Sequence, residues 1–122
     1  MDKIPVLVLD DDQDITLLTR SALTLHGYEV TESNNPLEAL ELIEKRSFRL
    51  ILVDIMMPEM DGVEFIRRVK ETHPDAEIRY AILTAKKLNE RQRREIFDLE
   101  TEIMTKPFIP VNLVEKVAEL LG

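Results

Sequence analysis

Five short runs of aliphatic residues alternate along the chain with longer stretches that carry apolar residues at helical spacing. The strongest runs cover residues 6–9, 50–53 and 80–83, and two weaker runs cover residues 29–31 and 103–105. Short apolar runs rich in β-branched residues are typical of buried strands. The pattern therefore predicts five strands.

Four of the intervening stretches repeat apolar residues every three or four positions, the spacing of one helix face. These positions are Ile15, Leu18, Ala22 and Leu25; Leu37, Leu40 and Ile43; Val63, Ile66 and Val69; and Val114, Val117 and Leu121. A fifth stretch, residues 89–98, is charged on most faces and is the weakest helix prediction.

Residues typical of helix ends mark the predicted boundaries. Asn35 with Glu38, and Asp61 with Glu64, have the spacing of a capping box at a helix start. Gly27 follows the first helix at a position where the chain often turns through a left-handed conformation. These signals place the helices between the predicted strands.

Strict alternation of strand and helix predicts an α/β fold, a doubly wound five-stranded parallel sheet with helices on both faces. Parallel crossovers are almost always right-handed, so the carboxyl ends of all the strands lie at one edge, where open α/β sheets bind ligands. With 122 residues and 44% hydrophobic residues, we expect residues 1–122 to form a single domain.

The charge and the composition exclude several classes of partner. A net charge of −8 opposes contact with nucleic-acid phosphates, so we expect no direct nucleic-acid binding. The chain has no cysteine, and its first apolar run is too short for a signal peptide or a membrane span. The sequence therefore predicts a cytoplasmic protein without a membrane partner.

Polar side chains follow the strong strands at the edge where ligands are expected. Aspartates 10–12 follow the first strand, Asp54 the third, Thr84 the fourth and Lys106 the fifth. Carboxylates and carbonyls are the ligands that Mg²⁺ prefers in proteins, and ammonium and hydroxyl groups bind phosphoryl oxygens. The sequence thus predicts a site for a divalent cation and a phosphoryl group.

Asp11, Asp54 and the backbone carbonyl of Met56 are the predicted direct Mg²⁺ ligands, and they leave coordination positions open for a phosphoryl oxygen. A carboxylate can attack phosphorus and form an acyl phosphate. We expect Lys106 to stabilise the charge of the transferring group and Thr84 to donate a hydrogen bond to it.

Four segments together resemble the receiver domains of two-component response regulators, of the chemotaxis-regulator type. The segments are Val6-Leu-Val-Leu-Asp-Asp-Asp12, Asp54-Ile-Met-Met-Pro-Glu-Met-Asp-Gly62, Leu83-Thr-Ala85 and Thr105-Lys-Pro-Phe108. They span most of the chain in the family's order and spacing. The resemblance implies the strand order 2-1-3-4-5.

The resemblance also implies roles for individual residues. Asp54 becomes the phosphoacceptor, Asp10 and Asp11 the acidic pair that binds Mg²⁺, and Thr84 and Lys106 the residues that contact the phosphoryl group. Asp11 would bind the metal directly. The implied partners are a sensor histidine kinase or a histidine phosphotransfer protein, and a downstream output protein or domain. The chain would act as a phosphorylated signalling switch rather than a turnover enzyme.

Two positions depart from the family pattern. Ile103 stands where an aromatic rotamer switch is common, and Leu99-Glu100 replaces the usual Gly-Ala before the fifth strand. The resemblance further implies a cis peptide bond between Lys106 and Pro107. Met56 and Lys86 would flank the path of an attacking water, which predicts slow loss of the phosphoryl group.

A second interpretation is a phosphatase of the haloacid dehalogenase type, which also forms an aspartyl phosphate with Mg²⁺. Residues 12–16, Asp-Gln-Asp-Ile-Thr, match its DxDxT motif. Such enzymes require a further acidic pair after their lysine, and only Glu115 and Glu119 follow Lys106 here. The motif therefore lacks its expected context.

Overall fold

The computed structural model describes residues 3–85, 87–106 and 108–122. The predicted position of Lys86 and the predicted cis bond before Pro107 lie outside the described residues. Strands and helices alternate throughout, as predicted. They are β1 (Ile4–Leu9), α1 (Gln13–Leu25), β2 (Tyr28–Ser33), α2 (Pro36–Lys45), β3 (Leu50–Asp54), α3 (Gly62–Thr72), β4 (Arg79–Thr84), α4 (Glu90–Asp98), β5 (Glu102–Thr105) and α5 (Pro110–Leu121).

The strands form one parallel sheet in the order β2-β1-β3-β4-β5, which confirms the predicted topology. The register places Leu9 beside Val53, Asp54 beside Leu83, and Thr84 beside Thr105. The carboxyl ends of four neighbouring strands therefore meet at one edge.

Alternate residues of each strand point to opposite faces, so the sheet builds two hydrophobic cores. Helices α2, α3 and α4 cover one face, where Leu7, Ile51 and Ile82 pack with Phe65 and Ile96. Helices α1 and α5 cover the other. The buried residues there are Val6, Val8, Ala22, Leu23, Leu50, Leu52, Ala81, Leu83, Met104, Leu113 and Val117. No helix in the described ranges is long and apolar enough to cross a membrane.

Helix caps agree with the sequence in position but differ in detail. The side chain of Asn35 accepts hydrogen bonds from two backbone N–H groups at the start of α2, and Asp61 accepts one at the start of α3. Glu38 does not complete the predicted box, because its carboxylate accepts from the Ser33 hydroxyl at 2.8 Å. A full capping box forms instead at Asn89 and Gln92, which begins α4, the weakest predicted helix.

The turn between α4 and β5 contains Leu99 and Glu100, the two residues that depart from the family pattern. Glu100 has a φ of 54°, a left-handed conformation that favours glycine. The Lys70 ammonium on α3 donates to the Leu99 carbonyl at 2.6 Å. Gly27, with a φ of 88°, takes the left-handed position predicted after α1.

Candidate functional site

The carboxyl edge of the sheet brings the predicted site residues together. Asp10 follows β1, Asp54 is the last residue of β3, Thr84 is the last residue of β4, and Lys106 follows β5. Their strands are consecutive neighbours in the sheet. Sequence positions far apart in the chain thus share one small region.

An acidic cluster, formed by Asp10, Asp11 and Asp54, occupies this edge. One carboxylate oxygen from each residue lies within 4.8 Å of the others. Asp10 is fully buried and Asp54 is 7% exposed, whereas Asp11 is open to solvent. Two of the three carboxylates are therefore largely removed from water.

Lys106 supplies a positive charge to the acidic cluster. Its Nζ lies 2.6 Å from Asp10 Oδ2 and 3.4 Å from Asp54 Oδ1. Burial alone would lower the pKa of the ammonium, but the hydrogen bonds and charges of the two carboxylates outweigh it and raise that pKa above its ordinary value. Lys106 is therefore charged at neutral pH.

Burial, reinforced by the charge of Asp10, raises the pKa of Asp54 from its ordinary 3.8 to about 6, although Lys106 acts in the opposite direction. One lysine thus does not balance three carboxylates. A divalent cation would supply the missing charge, and an all-oxygen donor set suits a hard ion such as Mg²⁺. The cluster therefore fits the predicted metal.

The loop after β3 is held tightly against Asp54. The Gly62 N–H donates to the Ile55 carbonyl at 2.9 Å. A Cβ atom at Gly62 would lie 2.6 Å from the backbone oxygen of Asp54 and 2.9 Å from a methyl carbon of Ile82. Only glycine lets α3 begin this close to the strand. The side chain of Met56, in the same loop, is 53% exposed.

Thr84 and Ile103 line a cleft beside the acidic cluster. Thr84 is 2% exposed, and its backbone oxygen accepts from the Lys106 N–H at 2.8 Å. The cleft has a volume of about 360 Å³ and also contacts Ala85 and Leu88. Ile103 therefore borders open space at the position where the family commonly has an aromatic side chain.

The β2–α2 turn contributes a residue that the sequence did not single out. The backbone N–H of Asp10 donates to the Ser33 carbonyl at 3.2 Å, and the Asn34 side chain donates to the Asp10 carbonyl at 2.8 Å. The predicted strand ended at residue 31, whereas β2 extends to Ser33. The available signal was therefore weak: an asparagine shortly after a strand, at the edge already predicted to carry the site.

The DxDxT segment forms the start of α1. Asp12 caps α1, and its carboxylate accepts from the Asp14 N–H at 2.9 Å. The hydroxyl of Thr16 donates to the Gln13 carbonyl at 3.1 Å. These contacts belong to an ordinary helix start. Asp12 and Thr16, the first and last residues of the motif, thus form contacts of the helix start.

Known proteins share both the sequence pattern and the fold. Residues 6–118 match the response regulator receiver domain family. The chain is 34% identical to the response regulator receiver protein CpdR of Brucella abortus over 117 residues, which cover 95% of each chain. It is 33% identical to the phosphate regulon transcriptional regulatory protein PhoB of Pseudomonas aeruginosa, over 95% of this chain and 51% of PhoB.

Solved structures of other proteins share the fold of this chain. The chemotaxis protein CheY4 of Vibrio cholerae superposes with a TM-score of 0.90 at 28% identity, covering 98% of this chain and 99% of that one. A CheY-like receiver domain protein of Methanospirillum hungatei has the same TM-score and identity, covering 98% of this chain and 94% of that one. The chain therefore belongs to the response regulator receiver domain family.

Proposed function

We propose that this chain is a phosphoacceptor switch in which Asp54 receives a phosphoryl group in a Mg²⁺-dependent reaction. The observation that carries the proposal is the meeting of three carboxylates and one lysine at the carboxyl edge of the sheet. The carboxylates lie within 4.8 Å of one another, and Lys106 lies within ion-pair distance of Asp10 and Asp54. Within this cluster Asp54 ends β3, the strand between β1 and β4, and its carboxylate lies 3.4 Å from Lys106 Nζ.

Asp11, Asp54 and the carbonyl of Met56 would hold Mg²⁺, with Asp10 acting from outside the direct ligands because Lys106 already binds it at 2.6 Å. The bound ion would neutralise charge on the acidic cluster and on the phosphoryl oxygens. It would also keep Asp54 ionised, which the raised pKa otherwise opposes near pH 6.

The transfer itself needs a nucleophile and groups that receive charge. A carboxylate oxygen of Asp54 attacks phosphorus in a phosphohistidine; a P–O bond forms, the P–N bond breaks, and its electron pair returns to the imidazole nitrogen. Thr84 ends β4, the strand next to β3, and Lys106 follows β5 and lies 3.4 Å from Asp54, so both can contact the transferred group. Both stabilise the negative charge that Asp54 then carries.

The phosphorylated chain would act as a switch rather than as a turnover enzyme. Phosphorylation replaces a carboxylate that Lys106 contacts at 3.4 Å with a bulkier dianion, which competes with Asp10 for the ammonium. The contacts at the ends of β4 and β5 then change, and a bistable element there would pass the signal on. The cleft beside Ile103 leaves room for such a movement.

The partners follow from the chemistry and from the relatives. The donor would be a sensor histidine kinase or a histidine phosphotransfer protein in the cytoplasm. Residues 1–122 would act as one receiver domain. The chain spans about half the length of PhoB and of the regulator SrrA of Staphylococcus aureus, but 95% of CpdR. A signal to a separate output protein and a signal to an attached output domain both fit this range.

Phosphorylation by acetyl phosphate with Mg²⁺ tests the proposal. Wild type should gain one acid-labile phosphoryl group, detected by mass, and Asp54→Asn should gain none because the amide is not a nucleophile. Asp12→Asn is the matched control, since the Asp12 side chain caps α1, a role that asparagine also fills, and this variant should label normally. Beryllofluoride is a second probe, because the DrrB receiver domain, 27% identical to this chain, has been solved in its BeF3-activated form.

Labelling that persists in Asp54→Asn would disprove the assignment of the acceptor. Steady turnover of an aryl phosphate by the wild type would favour the phosphatase interpretation instead. Loss of labelling in Asp12→Asn as well would show that the acidic edge as a whole, rather than the acceptor, had been disturbed.

A further inference from the structure

Both backbone groups of Asp10 are held by the β2–α2 turn. Its N–H donates to the Ser33 carbonyl at 3.2 Å, and its carbonyl accepts from Asn34 Nδ2 at 2.8 Å. The first contact continues the pairing of β1 with β2, whereas the second comes from a side chain beyond the end of the strand. The backbone of Asp10 is therefore fixed at the point where the acidic cluster begins.

A second acceptor orients the Asn34 carboxamide. Asn34 Nδ2 lies 3.3 Å from Thr16 Oγ1, on the first turn of α1. The single hydroxyl proton of Thr16 is donated to the Gln13 carbonyl, so its oxygen faces Asn34 as an acceptor. Two acceptors on different elements thus hold one amide group in a defined direction.

The Asp10 carbonyl and the Asp11 N–H belong to the same planar peptide group. A bond that fixes the carbonyl therefore fixes the direction in which the chain enters Asp11. The Asp11 side chain is exposed, so packing does not position it. Its carboxylate nevertheless lies within 4.8 Å of the oxygens of Asp10 and Asp54.

We propose that Asn34 is a positioning residue for the metal site: its carboxamide holds the Asp10–Asp11 peptide group so that the Asp11 carboxylate faces Asp54. The inference rests on the proposed function, because it assigns Asp11 to the Mg²⁺ site. The contact of Asn34 with the acidic cluster is to the Asp10 backbone carbonyl, so Asn34 acts through the backbone.

The neighbouring asparagine offers a matched control. Asn35 caps α2, accepting from the N–H groups of Leu37 at 2.8 Å and Glu38 at 3.3 Å, and within the described residues no hydrogen bond joins its side chain to Asp10. Asn34→Leu keeps the side-chain volume but removes the donor. Asn35→Ala removes the cap but leaves the Asp10 carbonyl bonded.

Mg²⁺ titration followed by amide NMR shifts separates the two roles. Asn34→Leu should raise the Kd for Mg²⁺ about tenfold, the lower end of what loss of an outer-sphere partner costs a metal site. Asn35→Ala should keep the wild-type Kd while losing stability to urea, as loss of a cap does. At saturating Mg²⁺, acetyl phosphate should label Asn34→Leu at nearly the wild-type rate.

An unchanged Kd in Asn34→Leu, with wild type binding Mg²⁺ and becoming labelled, would overturn the role of Asn34 and leave the proposed function standing. An equal rise of the Kd in both variants would assign the effect to general loosening of the turn and would also overturn it. Failure of the wild type to bind Mg²⁺ would reject the proposed function together with this inference.

Discussion

The ammonium of Lys106 lies nearer to Asp10 than to Asp54, at 2.6 Å against 3.4 Å. Asp10 is fully buried, and a buried carboxylate needs partners to compensate its charge. Lys106 supplies the positive charge at one oxygen, and the Asp12 N–H donates to the other at 2.9 Å. In the unphosphorylated chain, Lys106 therefore has a structural role as the ion-pair partner of Asp10. It holds a buried carboxylate beside the acceptor and leaves the acceptor only partly neutralised.

Lys106→Met tests this structural role. Removing the ammonium leaves the Asp10 charge buried and unpaired, and we expect a loss of about 3 kcal/mol in the free energy of unfolding at pH 7 without metal. Urea denaturation measures it. Lys116→Met is the control, because Lys116 lies 3.8 Å from the exposed carboxylate of Glu102, and such surface pairs contribute less than about 1 kcal/mol. Equal losses in the two variants would contradict the pairing described here.

The raised pKa of Asp54 predicts a specific pH dependence. Its pKa is about 6 in the folded chain against an ordinary 3.8, so the folded state holds this proton more tightly than the unfolded state. The resulting stabilisation is full below about pH 4 and is lost as the pH rises through about 6. Asp54→Asn has no carboxyl group to ionise at this position, so its stability should not fall in this way. Without divalent cations, its free energy of unfolding at pH 7 should exceed that of wild type by about 2 to 3 kcal/mol.

Urea denaturation in a chelating buffer between pH 4.5 and pH 7.5 measures this difference. Asp12→Asn, altered outside the acidic cluster, should follow the wild-type curve. The stability difference between Asp54→Asn and wild type should therefore change with pH. A constant difference across this range would show that burial does not raise the pKa of Asp54. In the presence of Mg²⁺, wild type should recover stability at pH 7 and not below pH 5.

The acidic cluster predicts unequal contributions to Mg²⁺ affinity. Asp11→Ala should weaken binding more severely than Asp10→Ala, because Asp11 is open to the ion whereas Lys106 occupies Asp10. Binding should be weak in wild type, since Mg²⁺ gives up its water reluctantly and few carboxylates bind it directly. Calorimetric titration of the three proteins decides the order, and equal affinity of Asp11→Ala and wild type would contradict the assignment.

Gly62→Ala should disturb the acceptor through its backbone. The added Cβ would meet the Asp54 backbone oxygen at 2.6 Å, so the start of α3 must move away from β3. We expect a loss of about 2 kcal/mol in stability, as for other overpacked sites, together with slower labelling. Gly27→Ala meets open space and strains only a left-handed φ of 88°, and it should label at the wild-type rate. Normal labelling of Gly62→Ala would show that the loop adjusts freely.

Glu100→Gly should stabilise the chain. Glu100 adopts a φ of 54° at the end of α4, where glycine avoids a cost of about 1 kcal/mol to a residue with a side chain. Thermal and urea unfolding should show a gain of that size. In α5, Glu115→Gly should instead lose about 1 kcal/mol, because glycine is unfavourable inside a helix. A loss in both variants would mean that Glu100 makes compensating contacts.

The order of the elements could be predicted from the sequence because the signals are local. Aliphatic runs, the caps at Asn35 and Asp61, and Gly27 each act within a few residues. Alternation of strand and helix then restricts the topology, since right-handed crossovers bring all carboxyl ends to one edge. The co-location of Asp10, Asp54, Thr84 and Lys106 follows from strand ends alone.

The sequence was weakest where an element has little apolar periodicity. Helix α4 buries Ile96 and is otherwise largely polar, so its stability depends on packing against the sheet and on the capping box at Asn89. The prediction that Glu38 and Glu64 complete capping boxes was wrong, because other side chains bind these two carboxylates. Ser33 binds Glu38, and Arg67 and Arg68 bind Glu64.

The sequence by itself determined which chemical groups meet, and the tertiary structure decided how they are paired. Three features depend on distances between different strands and turns. These are the shorter distance from Lys106 to Asp10, the raised pKa of Asp54, and the hydrogen bond from Asn34 to the Asp10 carbonyl. Electrostatic energies change steeply over such distances and with burial. The local sequence around each residue determines neither these distances nor the degree of burial. Both depend on how the strands and helices pack.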